Sequence, residues 1–128
     1  MSKTRWHKFE LRPADLTAAA TTRDIHLFTL GTDEIIEKVR IKHSQSFRGG
    51  ALTAYTVSVG VTGDLAKYGS AFDVFQEVLT RNQQLSSVLG GLEENDRASL
   101  RVQATATGGN LDAATQGVVE IAIETTTP

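Results

Sequence analysis

The stretch FRGGALTAYTVSVGV, residues Phe47–Val61, decides the fold class of this chain. Its second half alternates strictly between apolar residues and small polar ones. Tyr55, Val57, Val59 and Val61 share one face, and the positions between them hold only hydroxyl residues and glycine. A period of two is typical of a strand with one buried and one solvated face. Because the polar face carries no acid, base or metal ligand, this strand predicts a structural surface rather than a reactive site.

Five further segments show the same alternation, and they are Trp6–Leu11, Ile25–Leu30, Ile35–Ser44, Ser99–Thr107 and Val118–Thr125. Short strands separated by turn residues predict an antiparallel β-sandwich or barrel. The positions expected to face inward are Val39, Ile41, Tyr55, Val57, Val59, Leu100, Val102, Val119, Ile121 and Ile123.

The connections follow from glycine and small polar residues. Leu30–Glu34 is expected to be tight, with Gly31 free to adopt positive φ, and the double glycine of Phe47–Ala51 is expected to turn a hairpin. Thr62–Ser70 and Thr107–Gly117 read as longer connections that project from the ends of the sheets.

Two segments do not fit the strand pattern. Arg12–Thr22 has room for a helical turn, with Pro13 near its first position. Phe75–Leu92 carries a helical stripe of apolar residues that stops at Gly90–Gly91, although Ala71–Phe75 also alternates as a strand does. The sequence leaves helix and strand both open for residues 75–92.

Composition limits the class of protein. A chain of 128 residues predicts a single domain, 1–128, in which residues 1–12 form an N-terminal arm or an edge strand. A net charge of −2 gives no support for nucleic-acid binding, and the basic face of Lys38, Arg40 and Lys42 is most simply a solvated one. Without cysteine there are no disulfides or thiolate metal sites, and no apolar stretch is long enough to predict a membrane span.

The search for chemistry finds no phosphate-binding loop and no nucleophile elbow. The histidines, His7, His26 and His43, are scattered singly on expected strands, and Asn110 with Asp112 reads as a turn rather than a calcium site. We therefore predict no catalytic residue, no cofactor and no metal.

The N-terminal segment carries the one candidate site, an interface. Trp6, Phe9 and Leu11 are apolar residues near the chain start; Arg5 precedes them, and Lys8 lies between Trp6 and Phe9. Such a segment either closes its own core or adds to a sheet edge of another chain, because a row of apolar residues is costly to leave in water. We expect these five residues to contact a sister subunit or another protein.

Three stretches carry a family resemblance: WHKFELRPADLTAAATTRDIHLFTL (6–30), HSQSFRGGALTAYTVSVGVTGDLAKYGSAFDVFQ (43–76) and GGNLDAATQGVVEIAI (108–123). Together they resemble a family of small structural proteins encoded in tailed-phage genomes. The resemblance covers nearly the whole chain and concerns strands rather than a site. It implies a virion protein that is made in the host cytoplasm and assembled into the particle.

From residues and resemblance together, we expect an all-β, antiparallel jelly-roll sandwich of seven or eight strands with at most one short helix. The expected function is non-enzymatic: a capsid decoration (cement) protein, a homotrimer, bound to the major capsid protein or other virion proteins. The alternatives are a tail or head–tail joining ring component, or a carbohydrate-binding module with Phe47 or Tyr68 as stacking platforms. No nucleic acid and no membrane are expected among its partners.

Overall fold

The computed structural model describes residues 3–75, 83–93 and 98–127. Within these ranges the chain forms eight strands: β1 Lys3–Leu11, β2 Thr22–Thr29, β3 Ile35–Arg48, β4 Ala54–Val61, β5 Asp64–Asp73, β6 Gln83–Glu93, β7 Ser99–Thr107 and β8 Gln116–Thr127. A four-residue helix α1, Pro13–Leu16, follows β1, and a 3-10 turn, Leu111–Ala113, precedes β8.

The strands form two four-stranded sheets. Sheet 1 has the order β1-β8-β3-β6 and sheet 2 the order β2-β7-β4-β5, with antiparallel pairing between neighbours. This order is that of a jelly roll, in which two Greek keys wind one pair of sheets. The predicted antiparallel jelly-roll sandwich is therefore confirmed.

The core lies between the inner faces of the two sheets. Every residue that the alternation placed inward is buried, and none of the ten exceeds 2% exposure. Near the end of β3 and the start of β4, the buried rings of Phe47 and Tyr55 stack with centroids 4.7 Å apart. Full burial of one valine, leucine or isoleucine side chain contributes about 1.5–3 kcal/mol to the free energy of unfolding. The alternating strands, which supply these residues, therefore carry most of the driving force for folding.

The connection Phe47–Ala51 is not a hairpin, because β3 belongs to sheet 1 and β4 to sheet 2. The chain crosses here from one sheet to the other. Gly50 adopts φ +49°, and a Cβ built on Gly49 would lie 2.1 Å from the carbonyl oxygen of Ala113. The double glycine is needed for this close packing against the 3-10 turn rather than for a two-strand turn.

Two other expectations for the connections were wrong. In Leu30–Glu34 the positive φ, 62°, falls on Asp33 and not on Gly31, and aspartate tolerates this region. Most of Thr62–Ser70 is not a loop, because β5 begins at Asp64 and pairs with β4 after a two-residue turn that contains Gly63 at φ +92°. The pairing of β4 with β5 has two register shifts, and a strand with an irregular register leaves a weak alternation in the sequence.

The ambiguous segments resolve in opposite ways. Residues 83–93 form strand β6, so the helical interpretation is wrong there, and residues 76–82 lie outside the described part. An apolar stripe at helical spacing and a half-buried strand share many positions over so short a stretch. The helical turn expected in Arg12–Thr22 is present as α1, with Pro13 at its first position.

We expect Gly60→Ala to lower the free energy of unfolding by about 1–3 kcal/mol, because the added Cβ would meet backbone. A Cβ on Gly60 would lie 2.1 Å from the carbonyl oxygen of Asp64, across the β4–β5 turn. Gly31→Ala is the matched control, since its Cβ has an ordinary contact of 3.6 Å as its nearest neighbour. Urea unfolding measures both variants, and equal midpoints for the two would contradict the crowding at Gly60.

We expect Tyr55→Phe to match or exceed the parent in stability at pH 7, by up to about 1 kcal/mol. The Tyr55 hydroxyl is buried and has no hydrogen-bond partner within the described residues, and burial raises its pKa to about 12. The raised pKa keeps the phenol protonated in the folded protein, whereas the unfolded phenol ionises near pH 10. The parent therefore loses stability relative to the variant as the pH rises from about 10 towards 12. Denaturant midpoints between pH 7 and 11 test this, and a parent that holds its stability against the variant above pH 10 would refute it.

Candidate functional site

The outer face of sheet 1 consists of rows of residues that run across β1, β8 and β3. Adjacent Cα partners define three rows, which are Trp6–Glu124–Lys38, Lys8–Ala122–Arg40 and Glu10–Glu120–Lys42. These residues point away from the core, because on β3 and β8 they alternate with buried residues and on β1 they alternate with the half-buried His7 and Phe9 and the buried Leu11. Charged side chains therefore cover this face, and the central row has alanine at its midpoint.

The side chains around Ala122 form the most distinctive part of this face. Arg40 extends across Ala122 from β3 to β1, and its guanidinium carbon lies 5.3 Å from the centroid of the Trp6 ring. Ala122 is only 2% exposed although it points outward, whereas Trp6 is 39% exposed and is the one exposed large hydrophobic residue among those whose burial the structure describes. We call Trp6, Lys8, Arg40 and Ala122 the Trp6–Arg40 surface.

The structure separates the five predicted interface residues into two groups. Trp6 and Lys8 lie on the outer face, and Arg5 is exposed as well. Leu11 is 7% exposed and belongs to the core, and the half-buried Phe9 faces the ring of Phe28 with centroids 6.0 Å apart. Of the five, Trp6 and Lys8 are therefore exposed on the outer face, and Arg5 is exposed on the opposite face of β1.

These residues lie on an edge strand. β1 pairs with β8 along its full length, from Lys3 opposite Thr127 to Leu11 opposite Val119. Within residues 3–75, 83–93 and 98–127, no strand pairs with the other side of β1. Its main-chain groups on that side thus form a free sheet edge beside the Trp6–Arg40 surface.

Sequence reasoning missed Arg40 as the partner of Trp6. The alternation in Ile35–Ser44 does place Arg40 on the polar face of its strand, and that was the available signal. The sequence does not show that β8 lies between β1 and β3. It also does not show that β8 places its smallest outward side chain, that of Ala122, opposite Arg40.

A buried polar cluster lies on the inner side of the same strand. His7 Nε2 is 3.0 Å from Glu34 Oε2 and 3.2 Å from Thr125 Oγ1, and the Thr125 hydroxyl also donates to Glu34 Oε2. The backbone N–H of Gly31 donates to Glu34 Oε1 at 2.8 Å. We call these residues the Glu34 cluster, and it joins β1 and β8 to the connection between β2 and β3.

Electrostatics favour the charged form of Glu34. Burial is the largest single influence and raises the pKa of Glu34, but the hydrogen bonds from Gly31, Thr125 and His7, with the charge of His7, outweigh it and leave the pKa lowered. The His7 ring also stacks on Phe28 of sheet 2, with centroids 4.0 Å apart and planes 8° apart. The cluster therefore ties the two sheets together at the edge formed by β1 and β2.

The Glu34 cluster does not have the geometry of a catalytic triad. In a triad the hydroxyl and the acid contact opposite nitrogens of the imidazole, so that the base can activate the hydroxyl. Here Thr125 and Glu34 both contact Nε2 of His7, and Thr125 is fully buried. The cluster can stabilise the fold, but it offers no nucleophile to a substrate.

A second histidine pair is exposed. His26 Nδ1 is 2.8 Å from Ser99 Oγ, and the other ring nitrogen faces the Thr29 hydroxyl at 3.5 Å. A serine nucleophile needs a histidine base held by a third group and donors for the oxyanion. The described residues place no carboxylate in contact with His26, so the pair is a cross-strand hydrogen bond between β2 and β7.

The structure gives no support to the carbohydrate platform that the sequence left open. Phe47 is fully buried and Tyr68 is 3% exposed, so the carbohydrate stacking platform expected at these rings is wrong. No group of three or more potential metal ligands occurs in the part that the structure describes, and none of its helices is long and apolar enough to cross a membrane.

An open depression of about 510 Å³ lies beside α1, lined by Arg12, Pro13, Ala14, Thr17, Ala114 and Thr115.

We expect Glu34→Gln to lower the unfolding free energy at pH 7 by about 1–3 kcal/mol, because it weakens charge-assisted hydrogen bonds in a buried cluster. The lowered pKa of Glu34 means that the parent's advantage is present above the ordinary value of 4.5 and is lost as the pH falls through the lowered one. Thermal unfolding of both proteins from pH 7 down to about pH 3 measures this difference. Glu10→Gln is the exposed control, and an advantage for the parent that does not shrink in acid would contradict the assignment.

Comparisons with known proteins find a similar fold among solved structures but no matching family. No family model matches the chain, and no curated protein matches it. Among solved structures, a chain of the cyanophage Pam1 capsid asymmetric unit aligns with a TM-score of 0.60 and 19% identity, covering 99% of this chain and 85% of that one. Decameric and 60-mer forms of the BFDV capsid protein align with TM-scores of 0.39 and 0.40 at 8% and 7% identity, covering 100% and 99% of this chain and 99% and 92% of theirs.

Proposed function

We propose that this chain is a non-enzymatic structural protein of a phage virion, and that it decorates the outside of the capsid. The observation that carries the proposal is the likeness of the whole chain to a chain of the cyanophage Pam1 capsid asymmetric unit. The two chains cover each other almost completely, so the likeness is to a protein of similar size rather than to one part of a much larger one.

The distribution of polar residues supports a structural role. The Glu34 cluster, a buried polar cluster that joins several elements, is directed into the sandwich and holds its edge closed. The outer face of sheet 1 instead offers an exposed tryptophan. An exposed aromatic anchor on a sheet face suits protein–protein contact better than small-molecule binding, which needs a concave pocket.

A decoration protein acts through binding alone. Each copy that binds the assembled shell and not its separated subunits adds to the stability of the shell by mass action. A rigid sandwich suits this task because little conformational entropy is lost when it binds. We propose the major capsid protein, or another virion protein beside it, as the partner, and a homotrimer as the bound form.

The contact itself is proposed for Trp6, Arg5 and Lys8. Trp6 is a large hydrophobic residue that is exposed, and tryptophan and arginine are enriched among the residues that dominate binding energy. Phe9 and Leu11, which the sequence grouped with them, hold β1 on the domain instead. For this reason a point substitution tests the contact better than removal of the segment, which would uncover β8.

We expect Trp6→Ala to weaken binding to capsids about thirtyfold, since loss of an interface tryptophan costs about 2 kcal/mol or more. Thr4→Ala is the matched control on the same strand and the same face. The measurement is co-sedimentation of purified protein with particles that were assembled without it, from the phage that carries this gene. Both variants should melt within a few degrees of the parent, because the cation–π contact of Trp6 is worth only about 0.5–1 kcal/mol.

Three results would count against the proposal. If the unsubstituted protein does not bind particles, the decoration role fails. If it binds and cryo-microscopy locates it in the tail or at the head–tail joint, the ring alternative replaces decoration. If Trp6→Ala binds as the parent does, the contact lies on another face.

A further inference from the structure

We infer that the Trp6–Arg40 surface binds a carboxylate side chain on an acidic segment of the neighbouring virion protein. This inference rests on the proposed function, because it names the chemistry of the partner at the surface assigned above. It adds Arg40 as the residue that determines specificity, whereas Trp6 supplies apolar contact area.

The register of sheet 1 leaves Arg40 without a carboxylate opposite it. The outward cations of β3 face β8 in turn: Lys38 lies opposite Glu124, Lys42 opposite Glu120, and Arg40 opposite Ala122. Lys8 of β1 faces the same alanine from the other side. Two cations therefore meet across a small apolar residue at the centre of a face where the neighbouring cations have glutamates as cross-strand partners.

The guanidinium of Arg40 lies against the Trp6 ring, but its Nε, which is buried, has no hydrogen-bond partner within the described part of the chain. Contact with the Trp6 ring engages the face of the guanidinium, so the in-plane donors of its two terminal amino groups, but not the buried Nε, are left for a partner. A carboxylate accepts from such a planar group through two parallel hydrogen bonds, which is the strongest pairing open to it.

The surrounding charges favour a protein over a nucleic acid. Glu10, Glu120 and Glu124 lie in the rows on either side of the Lys8–Arg40 row. They would repel the closely spaced phosphates of a nucleic-acid strand, whose binding depends on neutralising many charges at once. A single carboxylate with apolar neighbours fits between them, because the apolar part of the partner can cover Trp6.

The test compares Arg40→Gln with Lys42→Gln in the particle co-sedimentation assay. Both substitutions remove one positive charge from the same face of β3, so they match in net charge. We expect Arg40→Gln to weaken binding roughly tenfold or more, and Lys42→Gln to weaken it less than about threefold. Arg40→Lys should fall between them, because lysine keeps the charge but loses the planar pair of donors. Melting temperatures of all three check that the fold is intact.

The outcomes separate this inference from the proposed function. If the parent does not bind particles, both are overturned. If the parent binds and Arg40→Gln binds equally well, the carboxylate contact is overturned while the decoration role stands. Binding of a 20-base-pair DNA duplex that Arg40→Gln abolishes would overturn the choice of a protein partner. Self-association in sedimentation velocity that Arg40→Gln abolishes would assign the surface to a second copy of this chain and overturn the inference as well.

Discussion

The pairing of β8 with β1 on one side and β3 on the other is the interaction on which sheet 1 depends. β8 places Val119, Ile121 and Ile123 in the core, and it is the strand that joins β1 to the rest of the sheet. A slip of one residue would exchange its two faces, because side chains alternate with a period of two. The same register puts Ala122 between Lys8 and Arg40, so the core and the proposed contact surface are fixed by one set of hydrogen bonds.

Most of the fold could be predicted from the sequence because the strands with regular pairing alternate cleanly. All ten residues that the alternation placed inward are buried, and the strands around Tyr55, Val102 and Ile121 appear where they were expected. The failures lie where local pattern and long-range pairing disagree. β5 pairs with β4 through two register shifts, and the Phe47–Ala51 connection crosses between sheets, which no local signal separates from a hairpin.

The candidate site was only partly predictable, for a related reason. The sequence identified Trp6 and Lys8, whose character is visible one residue at a time. Arg40 and Glu34 matter because of neighbours distant in the chain: Arg40 contacts Trp6, and Glu34 contacts Thr125, from which it is separated by 91 positions. Such partnerships depend on strand order, and strand order in a jelly roll follows from packing of the two sheets rather than from local propensity.

The pairing of the first strand with the last has a consequence for how the chain folds. Lys3 lies opposite Thr127, so β1 cannot find its partner until nearly the whole described chain has been synthesised. Contacts of such wide sequence separation close large loops and slow the approach to the native state. During that interval β1 is an unpaired strand that carries Trp6 and Phe9, and its two lysines and one arginine then hinder pairing with other nascent chains. We therefore expect the basic residues of β1 to favour solubility during synthesis, independently of the contact proposed for the folded protein.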